Sequence, residues 1–165
     1  MSSPIEEAMF AGWADYQRQL AKIVRGLTPE HLATRPASQL RTAGETLTHL
    51  VACRADWFCG VLKEGDEEDA LLANLDHSGE PVRGGPELAD GLEQTWKMMT
   101  DAWSRWTPAQ LVEPIVLPWI GPERPVTRAW VVWHVLEHDL HHGGEATHAL
   151  GMAGLHVRMP PGPDD

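Results

Sequence analysis

The chain has 165 residues, of which 42% are hydrophobic and 22% charged, and a formal charge of −11. That length fits one domain with a core of its own, and the composition is ordinary for a globular protein, which excludes wholesale disorder. The negative charge excludes ready nucleic-acid binding, which needs clustered Lys and Arg, and no apolar stretch is long enough to cross a bilayer.

From Ile5 to Leu27 the residues Ile5, Met9, Trp13, Tyr16, Leu20, Ile23 and Leu27 recur at steps of three and four, which predicts a first helix with one apolar stripe. The opening MSSPIEEAMF has neither the basic region nor the unbroken apolar core of a secretory signal, so a cytoplasmic location is expected. TPEHLATRPAS then reads as a connection holding one short helical piece after Pro29. Thr42 to Glu45 (TAGE) is a capping box, and a second helix should start there, with Leu47, Leu50, Val51, Phe58, Val61 and Leu62 as its apolar face and Gly65 as its stop.

The acidic GDEEDA and the Gly/Pro-rich HSGEPVRGGPE predict a long solvated crossover. A third helix follows from about Pro86 to Trp106, with Leu88, Leu92, Trp96, Met99 and Trp103 on one side, and TPAQ opens about one further turn. Four prolines and a glycine between Leu111 and Val126 forbid a continuous helix, leaving a loop with room for a short extended pair or a lid. Thr127 caps the last and longest helix, whose weak spot is expected at Gly143 and Gly144. Four helical segments of roughly 20 residues without a convincing strand set imply an all-α fold, a four-helix bundle with long crossover connections. One domain is expected over residues 1–157, with a flexible tail over 158–165.

Two cysteines six apart, Cys53 and Cys59, support neither a disulfide framework nor a cysteine-only zinc site. Histidine is the remaining soft ligand, and five of the nine lie between His134 and His148. On a helix His134, His138, His142 and Glu145 fall within an arc of roughly 80°, beside His141 and His148 and apart from an apolar arc of Val132, Val135, Leu136, Leu140 and Leu150. Two histidines four apart on a helix can direct ring nitrogens to one ion at about 2.0–2.1 Å. Both the His134/His138 and the His138/His142 pairs meet this spacing, and imidazole has no helix propensity that would draw it there. Two ligands leave a transition metal under-coordinated, so a third must come from another helix, and His49 in the second helix is the natural candidate. Cys53 at i+4 from His49 reads as a ligand or as a small buried residue. His31, His77 and His156 receive no role.

The segments ETLTHLVACRADWF and WHVLEHDLHHGGEATHALGMAGL together resemble the DinB/YfiT-like superfamily, as do the GLTPEHLATRP connection and the long crossover over most of the chain. The resemblance implies a four-helix bundle whose divalent metal (zinc, nickel or iron) is held by His49, His138 and His142. It makes His134 and Glu145 neighbours or pocket residues; His141, beside them on the helix face, and Trp57 are candidates for the same role from their own positions. Many members continue the pair with HRGQ where this chain has HGGE, which removes any anion contact made by that arginine. Members with assigned activities are often transferases that use a low-molecular-weight thiol as co-substrate. A small-molecule substrate and a homodimer formed through helix faces are therefore expected.

Three readings follow. The first is a metal-dependent thiol S-transferase acting on an electrophilic small molecule. The second is a metal-dependent hydrolase using metal-bound water, with Glu145 or Glu137 as base. The third is a non-catalytic metal-binding or stress-response protein whose Pro-rich segment around Trp119 covers the ion. Trp13, Trp96 and Trp103 fall on core stripes, while Trp57, Trp119, Trp130 and Trp133 are candidates for the wall of a pocket above the metal.

Overall fold

The computed structural model describes residues 4–77 and 83–159; residues 78–82 of the crossover and 160–165 of the tail lie outside the described residues. Seven α-helices occur among the described residues: α1 (Pro4–Arg25), α2 (Pro29–Leu32), α3 (Ala43–Ala55), α4 (Glu67–Leu72), α5 (Gly85–Ser104), α6 (Pro108–Leu111) and α7 (Arg128–Met152). The four long ones, α1, α3, α5 and α7, form the bundle. Caps explain most of the starts. Thr42 accepts from the Glu45 N–H and the Glu45 carboxylate accepts from the Thr42 N–H, which closes the box before α3. Thr28, Thr107 and Thr127 cap α2, α6 and α7 in turn. Each such cap contributes about 1 kcal/mol to its helix. His31, without a role in the sequence reading, completes the box of α2 through its Nδ1.

Contacts along the bundle fix the directions. Arg25 pairs with Asp90 and Glu93 at one end of α1 and Phe10 meets Trp103 at the other, so α1 and α5 are antiparallel. His49 lies beside His142 and Trp57 beside His134, so α3 and α7 are antiparallel as well. Cys59 reaches Met98 while Arg54 reaches Leu92 and Thr95, which makes α3 and α5 parallel neighbours. The chain must therefore travel the length of the bundle between α3 and α5. It does so through a π-helical turn (Asp56–Val61) that continues α3, then α4 and a 3-10 turn (Ala73–Asp76). The sequence suggested a solvated connection here; instead Asp66 caps α4 and the 3-10 turn packs against α3. Gly65, at φ +86°, makes the corner after α3, where a Cβ would stand 2.9 Å from both Cys59 Sγ and Met98 Sδ. In the Pro-rich loop, Ile115 and Val126 form one antiparallel bridge.

One end of the core is aliphatic, with Leu20, Val24, Leu47, Leu50, Leu88, Leu92 and Leu150; the other gathers Trp13, Phe58, Met99, Leu117, Val131 and Val135. Trp96 and Trp103 pack against the second cluster. Between the two runs a buried polar network. Arg54 Nε and Nη2 donate to the two oxygens of Asp139 at 2.9 and 2.7 Å, Nη2 also donates to Gln17 Oε1, and Nη1 reaches the Leu92 carbonyl and Thr95. Trp13 Nε1 donates to Asp139 Oδ2, the Tyr16 hydroxyl to the Asp139 carbonyl, and Gln17 to the Leu92 carbonyl. All four bundle helices meet in this network, and both charged side chains are almost wholly buried. Burial and the Asp139 carboxylate raise the Tyr16 pKa, so its phenol stays protonated and donating.

The network also sets the rotation of α7. The face buried in the core carries Val131, Val135, Asp139, Gly143, Ala146 and Leu150. Leu140, placed by the sequence in the apolar arc, is half-exposed because the arc is centred about 100° away, on Asp139. Gly143 is no weak spot. A Cβ there would stand 1.8 Å from the Tyr16 hydroxyl, so glycine is what lets α1 approach α7. At the start of α1, Ile5 and Met9 lie on the predicted stripe but are exposed, since the first turns extend beyond the core. No helix among the described residues is long and apolar enough to cross a membrane.

Candidate metal centre

With Asp139 and Gly143 turned into the core, the positions one residue before each, His138 and His142, face α3. His49, on α3, meets them. Ring centroids lie 4.8 Å apart for His49 and His142, 5.9 Å for His49 and His138, and 5.2 Å for His138 and His142. One nitrogen from each of the three falls within 4.8 Å of the others. All three side chains are only partly buried, which leaves the cluster accessible from outside.

The Nδ1 nitrogens have partners of their own. His49 Nδ1 lies 2.7 Å from Asp76 Oδ2, and His142 Nδ1 lies 2.7 Å from Glu145 Oε2. A carboxylate on Nδ1 accepts a hydrogen bond from that nitrogen, keeps the ring proton there and leaves the Nε2 lone pair free, an arrangement common behind metal-bound histidines. His138 differs, for its Nδ1 faces the Cys53 thiol at 3.5 Å. Burial pushes that thiol up to about 12, with the Asp139 carboxylate adding to the effect. Cys53 thus stays a neutral, buried residue behind His138, outside the converging set. Burial also pushes His138 down to about 4, helped by the charge that His134, His142 and His49 would carry if protonated. His142 is lowered by burial against the opposing pull of Glu145. At neutral pH these two rings are unprotonated bases.

That donor set fits a divalent transition ion. Three imidazoles from two helices match the nitrogen ligands such ions take, and donors sharing one ion tetrahedrally stand about 3.4 Å apart, within reach of small side-chain rotations. Fewer than four protein donors leave a position for an exogenous ligand.

The other sequence candidates divide. His134 is not part of the three-histidine group; its ring lies 4.5 Å from His138, 4.8 Å from Trp57 and stacked at 4.8 Å on Trp130. Trp57 in turn meets Trp130 at 5.5 Å and Trp119 at 6.5 Å. Burial lowers the His134 pKa. Trp133 points elsewhere, lining a groove with Met9, Phe10 and Trp13 between α1 and α7. His141 is exposed, and its Nε2 lies 3.3 Å from Glu145 Oε1. His141, His142 and Glu145 therefore form a second, outer cluster that shares His142 with the first. Asp76 escaped the sequence reading altogether. It lies 27 residues from His49 in a stretch read as solvated linker, and no spacing rule joins the two.

Comparison with known proteins supports the architecture. The DinB family model matches residues 1–164. Among solved structures, a DinB-like protein from Bacillus cereus ATCC 10987 superposes with a TM-score of 0.69 at 24% identity, covering 94% of this chain and 95% of that one. A protein assigned to the DinB family from Exiguobacterium sibiricum 255-15 gives 0.65 at 20% identity, covering 97% and 99%. A DinB-like protein from Bacillus subtilis gives 0.61 at 20% identity, covering 92% and 94%. A search of curated proteins found no significant match.

Proposed function

The chain belongs to the DinB family, and from that premise we propose that it is a metal-dependent transferase joining a low-molecular-weight thiol to an electrophilic small molecule. The observation that carries this reading is the convergence of His49, His138 and His142, one nitrogen from each within 4.8 Å of the others. Zinc, nickel and iron all suit three imidazoles. The ion supplies positive charge that lowers the pKa of a thiol toward neutrality. The protein's own groups do the rest. Asp76 and Glu145 orient His49 and His142 through their Nδ1 atoms and make them better donors. Neither cysteine competes as the nucleophile, because burial holds Cys53 at about 12 and Cys59 at about 11.

Hydrolysis is less well served by the same groups. Of the two candidate bases, Glu145 has one oxygen on His142 and the other near His141, and hydrogen bonding to His142 lowers its pKa, which weakens it as a proton acceptor. Glu137 is largely exposed and adjoins His134 rather than the three-histidine group.

The test uses protein loaded separately with zinc, nickel or iron(II), several biological thiols, and 1-chloro-2,4-dinitrobenzene as a chromogenic electrophile. Thiol-dependent conjugation should exceed that of His138→Ala at least tenfold for one metal. Equal rates for the two proteins with every metal would refute the assignment.

A further inference from the structure

Three indoles and one imidazole form a continuous aromatic surface that begins at the three-histidine group and runs outward. His138 touches His134, His134 stacks on Trp130 with an interplanar angle of 13°, Trp57 abuts both His134 and Trp130, and Trp119 lies edge-on beyond Trp57. Its members come from three separate parts of the chain: the π-helical turn after α3, the Pro-rich loop, and the first two turns of α7. Trp119 is 66% exposed and Trp130 is 39% exposed. Hydrophobic burial leaves large aromatic side chains on a surface at a cost, and contiguous exposed aromatic patches mark binding sites. The widened turn at Asp56–Val61 is what carries Trp57, and such π turns recur at functional sites.

We infer that this surface is the subsite for the electrophile, and that it selects flat, electron-poor, unsaturated molecules without negative charge. The inference deepens the transferase reading and rests on it for the identity of the neighbouring site. Indole faces are electron-rich, so they stack best on electron-poor rings and conjugated carbonyl or nitro compounds. The charge of the surroundings agrees. The Glu137 carboxylate lies 3.9 Å from His134 and the chain as a whole carries −11, both of which disfavour an anion. A planar molecule stacked on this surface beside His134 would lie one ring away from His138 and the proposed thiol position.

The experiment is calorimetric titration of metal-free protein with 1,3-dinitrobenzene, which lacks a leaving group and does not react. Saturable one-to-one binding is expected, weakened at least fivefold in Trp119→Ala and in Trp57→Leu. His49→Ala, which cripples the metal group, and Trp133→Leu, in the separate groove, should bind as wild type does. Methyl cyclohexanecarboxylate, similar in size but not planar, should bind at least tenfold more weakly. Absence of saturable binding, equal affinity for the aliphatic ester, or unchanged affinity in Trp119→Ala would overturn the inference. Trp119 sits exposed on a loop, so its substitution leaves folding intact even if Trp57→Leu does not. Because the titration uses no metal and no thiol, its outcome is independent of whether conjugation is observed.

Discussion

A carboxylate behind a ligand histidine does two things at once: it fixes which ring nitrogen carries the proton, and it makes the other a stronger donor. Asp76 stands in that relation to His49 at 2.7 Å. Replacing it by Asn keeps the shape but removes the charge, so zinc affinity should fall about 10–100-fold. Competition against a chromophoric chelator measures this, with circular dichroism showing that the helices are retained; an unchanged affinity would remove Asp76 from the site. The two cysteines offer a second check. Cys59 lies beside Met98 and Asp69, and burial first, then the nearby carboxylates, pushes its thiol up to about 11. Only the thiolate alkylates, so at pH 8 a group with that pKa is about 0.1% ionised, against roughly a quarter for a free thiol. Iodoacetamide labelling of Cys59, followed by mass spectrometry, should therefore be at least tenfold slower than for free cysteine. It should rise about tenfold per pH unit between pH 7 and 9. The residues differ in how visible they were. His138 and His142 announce themselves by spacing along one helix, whereas Asp76 reaches its histidine only through the path of the crossover, which no local pattern encodes.

At the scale of elements, the rotation of α7 decides which histidines meet α3, and the buried network sets that rotation. Arg54 falls in the middle of the apolar stripe of α3, between Val51 and Phe58, and Asp139 holds the matching place on α7, between Val135 and Gly143. A lone charge at the centre of each of two apolar faces is a signal, legible in the sequence, that the two helices pair through it. The spacing argument alone left His134/His138 and His138/His142 equal, because a helix read in isolation has no zero of rotation; Asp139 supplies one. Truncating one member of a buried ion pair strands the other without water, which costs about 3–5 kcal/mol. Asp139→Asn should destabilise by that order in urea unfolding, whereas a surface control such as Asp101→Asn should change stability by less than ~0.5 kcal/mol. The contact of Gly143 with Tyr16 acts on the same register. Gly143→Ala forces the two helices apart and should cost about 1–3 kcal/mol as an overpacking change. Tyr16→Phe removes the clashing oxygen, so the double variant should lose less than the sum of the singles, and strict additivity would mean that the two residues do not touch.

For the whole molecule, the three-histidine group joins α3 to α7 while the network beneath it joins all four helices, so an ion would tie together elements that separate on unfolding. Unfolded chains do not hold His49 near His138 and His142, which are some 90 residues away. Binding therefore favours the folded state by RT ln(1 + [L]/Kd), about 2.7 kcal/mol at a free ion concentration of 100 Kd. For a chain of this size each kcal/mol raises Tm by about 2–4 °C, so saturation should raise it by roughly 5–10 °C. The dependence on both helices separates this from ions gathered by an acidic surface. His49→Ala alters only α3, His138→Ala only α7, and either should abolish most of the shift. His148→Ala, on an exposed position of α7, should leave it intact. Calcium, a hard ion that prefers oxygen ligands, should give no comparable shift, since the converging donors are nitrogens. Scanning calorimetry of the four proteins with and without zinc decides the matter. Equal shifts in all of them would mean that the ion binds elsewhere, and a shift lost only in His138→Ala would mean that His49 is a bystander.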